Sequence, residues 1–138
     1  MEKNVVKNIL ADMDLRQNLI KLKGSMTATD TLEGPIVEKL CDCLTHEDPK
    51  VRKNAALLLG YTKNPLMASV LLDAYKNEEK DFVKDAYLKG MSRYDCKPYI
   101  KELQEIQNEL MNSEVVDSKH IKAQLKVLNP MIRSYSYH

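Results

Sequence analysis

Apolar residues recur along this chain at the spacing of a helix face. In the stretch from Thr45 to Gly60, Val51, Ala55, Leu58 and Leu59 fall at i, i+4, i+7 and i+8, which lines them up on one side of an α-helix. Asp48 stands just before this stripe, with a short carboxylate able to accept the free N–H groups of a first turn. Pro49 follows at the first helical position, where its missing N–H costs nothing and its fixed φ suits the helix. Gly60 is placed to terminate the element. The small side chains of Ala55 and Ala56 let a neighbouring helix come close.

Elsewhere the pattern repeats. Pro35-Ile36-Val37 with Leu40, Pro65-Leu66-Met67 with Val70, and Pro98-Tyr99-Ile100 with Leu103 open three segments alike. They are spaced at intervals of about 30 residues, the signature of a repeated helix–turn–helix unit. These are predicted first (A) helices. Second (B) helices lie between them, and an offset of 31 residues sets Val51 on Phe82, Lys53 on Lys84, Ala55 on Ala86 and Asp48 on Glu79. The turns THEDP and NEEKD are acidic at matching places, which favours the positive N-terminal end of the helix that follows.

The ends extend the series. Val5, Val6, Ile9, Leu10 and Met13 form one stripe and Leu15, Leu19, Leu22 and Met26 another, with Asp14 as a cap between them. Residues 25–34 read as a polar connection. Ile100, Leu103, Ile106 and Leu110 begin a long helix, and Asp117 or Ser118 caps a last one carrying Ile121, Leu125 and Leu128, predicted to stop before Pro130. Four helix pairs over residues 1–129 result. Residues 130–138 alternate as an extended segment would, and are predicted to form a C-terminal tail.

The succession Asp48-Pro49, Val51-Arg52, Ala55-Ala56 and Leu59-Gly60 resembles the HEAT repeat signature. The second copy departs from it, with Lys80 for the proline, Val83 for the arginine and Tyr87 for one alanine. The resemblance implies an all-α fold, a right-handed α–α superhelix in which the B helices line an inner, concave face. It also implies that Arg52 pairs with the turn acid Asp48 at i, i+4. The layout, with the run DLRQNLIKLK at 14–23, is similar to helical regions that precede RNA methylase domains in some bacterial proteins. No glycine-rich cofactor loop of a methylase is present. HEAT-like alkylpurine DNA glycosylases resemble the chain in helical pattern alone.

Composition narrows the reading further. Hydrophobic residues make up 43% and charged residues 30% of 138, with no Trp and one Phe, so one domain with an aliphatic core is expected. The net charge of +1 gives no overall pull toward nucleic acid or membrane, so any basic surface must come from segregation. No stretch approaches the ~20 apolar residues of a membrane span. The interrupted run at the N-terminus is not a secretory signal. Cys41, Cys43 and Cys96 are odd in number and show no framework spacing, which points to free thiols in a reducing cytoplasm.

Candidate chemistry is sparse. Cys41 and Cys43 lie about 200° apart around a helix, so with His46 they cannot share one metal ion. The remaining histidines, His120 and His138, sit on other elements and complete no nucleophile–base set. Glu47-Asp48 and Glu78-Glu79 read as solvated helix-start charges. No enzyme activity, metal, cofactor or small-molecule substrate is expected. The expected site is a basic stripe on the B helices, made by Lys50, Arg52, Lys53, Lys84, Lys89 and Arg93, with Tyr61, Tyr87 and Tyr94 near it. The expected partner is a protein or an adjoining domain of a longer chain, with RNA as the second candidate.

Overall fold

The computed structural model describes residues 14–114 and 118–135, and the predicted stripe Val5–Met13 lies outside them. Seven α-helices occupy the described residues: α1 (Leu15–Ser25), α2 (Pro35–Cys43), α3 (Pro49–Leu58), α4 (Leu66–Asn77), α5 (Asp81–Met91), α6 (Ile100–Met111) and α7 (Lys119–Tyr135). Three of the starts have a side-chain cap. Asp48 accepts the N–H of Lys50 at 2.9 Å, Asn64 that of Leu66 at 3.0 Å, and Ser118 that of Ile121 at 3.1 Å, so side-chain oxygens satisfy amides that the first turn leaves free.

The helices form two layers. α1, α3, α5 and α7 pack side by side in one row, and α2, α4 and α6 each lean on the B helix that follows them. This is an all-α solenoid, in which neighbouring pairs bury one another's apolar stripes and build a continuous core from Leu15 to Ile132. α3 and α5 approach most closely. A Cβ on Gly90 would stand 2.6 Å from the Ala56 carbonyl oxygen, and one on Gly60 would stand 3.2 Å from the Gly90 Cα. Gly60 therefore does more than end a helix: its bare backbone lets the two B helices touch.

Three expectations are corrected. The first is the repeat offset. Buried positions recur between α3 and α5 at 32 residues, with Val51, Ala55 and Ala56 matching Val83, Tyr87 and Leu88. α4 runs on to Asn77, and Lys80 instead of Glu79 takes the N-cap position, which moves α5 one residue along. The second is the C-terminus. α7 continues through Pro130 to Tyr135, where an extended tail was expected. Met131 and Ile132 are buried, and the Tyr135 hydroxyl accepts the N–H of Cys96 at 2.7 Å. Pro130 and Lys126 face solvent, so the carbonyl that the proline leaves without a helical partner is open to water. Residues 136–138 lie outside the described residues.

The third correction concerns Arg52. It does not pair with Asp48, which instead takes both donors of Arg16 at 2.9 Å each. Arg52 reaches the next pair. Its Nε and one terminal nitrogen bind the Glu78 carboxylate at 2.8 and 2.9 Å, and its other terminal nitrogen donates to the carbonyl of His46 at 2.8 Å. The Glu78 side chain is 3% exposed and also accepts from Tyr87 and from the N–H groups of Glu79 and Lys80.

Candidate partner-binding face

The row of B helices carries the cations expected to make the site, but the fold uses several of them internally. Arg52 is the inter-pair clamp just described. Arg93 donates from Nε to the Gly60 carbonyl at 2.9 Å, and its guanidinium lies 4.0 Å from the centre of the Tyr61 ring. The Lys84 ammonium lies 5.5 Å from the Tyr75 ring centre. Lys89 pairs with Asp85 at 3.0 Å. Lys50 is exposed and Lys53 half-buried, both on α3. The corrected offset aligns Lys53 with Asp85 and Arg52 with Lys84, so the residues do not form one continuous stripe in register.

The tyrosines are likewise committed. Tyr87 is buried with its hydroxyl on Glu78 at 3.0 Å. Tyr94 binds Thr62 and the Leu59 carbonyl, and Tyr61 lies under Arg93. In α5 Tyr87 occupies the position that Ala55 holds in α3; the larger side chain fills the interface and reaches the Glu78 carboxylate.

A different signal emerges once each helix is assigned to a layer. α1, α3 and α7 contain lysines and arginines but not one Asp or Glu. α5 adds Asp81 and Asp85 to its lysines. The A helices, taken together, carry more carboxylates than cations: Glu38 and Asp42 with Lys39 on α2, Asp73 with Lys76 on α4, and Glu102, Glu105 and Glu109 with Lys101 on α6. A chain of net charge +1 thus has an excess of cations on its B helices and an excess of carboxylates on its A helices. Lys21 on α1 and Lys119 and Lys126 on α7 are exposed members of the B layer, which the basic stripe read from the sequence omits.

On the edge where α2 and α4 turn into their B helices, a cavity of about 540 Å³ is lined by Cys41, Leu44, Val70 and Ala74 together with Arg52 and Glu78. Its chemistry is quiet. Burial, with the charges of Asp42 and Glu38, pushes the Cys41 thiol up, away from the thiolate form. Cys43 is buried in the core, and Nδ1 of His46 accepts the Asp48 N–H at 3.0 Å. Burial on its own raises the Glu78 carboxyl; hydrogen bonds from Arg52, Lys80 and Tyr87 and the Arg52 charge outweigh it and hold the group below the usual carboxylate range. That carboxylate is a structural anion, fully occupied.

Two layers of antiparallel helix pairs, stacked in a row and clamped from pair to pair, define an α-solenoid repeat protein. A family model of HEAT repeats matches residues 5–92, and the chain belongs to the HEAT-repeat family. The match ends at Ser92, and α6 and α7 carry the same pairing one unit further. Repeats of this family generally serve as protein-interaction scaffolds. No curated protein and no solved structure matches the chain. Among the described residues no helix is long and apolar enough to cross a membrane.

Proposed function

We propose that the chain is a non-catalytic scaffold that binds a protein partner, or a domain adjoining it in a longer chain, through the surface of its B-helix row. The observation that carries this reading is the absence of carboxylates from α1, α3 and α7 while their cations remain. A surface of one sign within a neutral molecule attracts a partner of the other sign and orients it. Lys50, exposed, and Lys53, half-buried, form the centre, with Lys84 and Lys89 beside them, while Arg52 and Arg93 hold the frame on which they stand. Three free thiols are in keeping with a reducing, cytoplasmic setting.

RNA is the second reading, favoured by the same cations. A photo-crosslinking amino acid placed at position 53 in cells tests the choice. Discrete protein adducts that survive ribonuclease are expected there, and none from the same probe at Glu105 on the A layer. Adducts from Glu105 alone, or adducts at 53 that vanish with ribonuclease, would overturn the proposal.

A further inference from the structure

The chemistry of the committed and uncommitted side chains says more about the partner, and this step rests on the scaffold reading above. Three of the four arginines are engaged within the fold: Arg16 on Asp48, Arg52 on Glu78 and Arg93 on Gly60 and Tyr61. Planar guanidinium forks suited to phosphate oxygens are therefore mostly spent. Tyr75 and Tyr87 are buried and Tyr61 is covered by Arg93, so these rings offer no platform on which bases could stack. What remains toward solvent is ammonium groups, compact point charges that pair with carboxylates and lack the forked geometry that arginine offers a phosphate.

Their placement is regular. Lys21 lies two residues from buried Leu19, Lys53 two from buried Val51, and Lys126 two from buried Leu128. Two helical positions are about 200° of rotation, which turns each lysine away from that core residue, leaving Lys21 and Lys126 exposed and Lys53 half-buried. B helices packed at about 10 Å spacing put Lys21 and Lys126 roughly 30 Å apart, with Lys53 between them. An extended chain covers that distance in about nine residues. α5 interrupts the series, since its Asp85 and Lys89 neutralise each other.

We infer that the outward surface of the B-helix row docks an extended protein segment rich in aspartate and glutamate, held by Lys21, Lys53 and Lys126. The purified chain tests this by fluorescence anisotropy, against a labelled Glu/Ser peptide of about ten residues and a single-stranded oligouridine of equal charge. The peptide is expected to bind, with affinity falling as salt rises. Lys21→Glu, Lys53→Glu and Lys126→Glu together should weaken it by about tenfold or more, while Lys63→Glu, Lys97→Glu and Lys101→Glu leave it unchanged. If the triple reversal disturbs folding, the corresponding glutamine triple should weaken binding in the same direction. No peptide binding at low salt, equal loss in both reversal sets, or tighter binding of the oligouridine would overturn the inference. Protein crosslinks at position 53 without peptide binding would leave the scaffold standing and remove only the acidic partner.

Discussion

Replacing Arg52 with methionine removes the clamp between the second and third helix pairs and leaves its counter-charge behind. Glu78 then keeps its bonds from Tyr87 and the two backbone N–H groups but loses both guanidinium contacts, with its side chain still 3% exposed. Breaking a buried ion pair from one side costs about 3–5 kcal/mol. The 15% exposure of the Arg52 side chain lets some water reach the site, so about 3 kcal/mol is expected, a large part of a domain's usual stability of about 5–15 kcal/mol. Glu78→Gln alone should cost less, because an amide oxygen still accepts. The double mutant should show a coupling of about 2 kcal/mol. Urea unfolding followed by far-UV circular dichroism measures all three. Because the Glu78 carboxyl is held low in the folded state, its contribution is present above the unfolded carboxylate value of about 4.3 and fades as pH falls through the folded value. The wild type should therefore lose stability below about pH 4.3 more steeply than Arg52→Met. A cost below about 1 kcal/mol at neutral pH, or no coupling, would refute the clamp.

Three further outcomes follow from packing. Gly90→Ala should destabilise by about 1–3 kcal/mol in urea titrations despite alanine's better helix propensity, because the added methyl group meets the Ala56 carbonyl; an increase in stability would contradict the close α3–α5 approach. Pro130→Ala should raise the melting temperature and slow amide exchange at Met131–Ser134, since a helical N–H is restored; an extended tail would show neither. Tyr75→Phe should cost about 1–3 kcal/mol by leaving the Gln124 side-chain oxygen without its 2.6 Å donor, while adding Gln124→Leu should recover part of the loss, checked by the same unfolding assay.

Much of the fold was legible in the residues themselves. Asp48-Pro49 caps and opens α3 because capping depends on atoms two residues away, and the stripe Val51–Ala55–Leu58 turns inward because helical period alone sets its face. Pro35 opens α2 at its first position, and Pro98 lies in the short 3-10 turn that leads into α6, because the fixed φ of proline suits a helical start. Local chemistry could not say where long side chains would reach. The identity of Arg52 suggested an ion pair, yet its partner lies 26 positions on, in the turn after α4. Pro130 argued for an end to α7, and the burial of Met131 and Ile132 overrode it.

The sequence by itself determined a series of amphipathic helices in near-copies, because helix period and capping are written in neighbouring residues. The tertiary structure alone decided which cations are spent and which face solvent, and that the carboxylate-free helices share one layer. Both are properties of elements brought together across about 30 residues or more, and a one-residue change in the turn after α4 was enough to set Lys53 against Asp85 instead of Lys84.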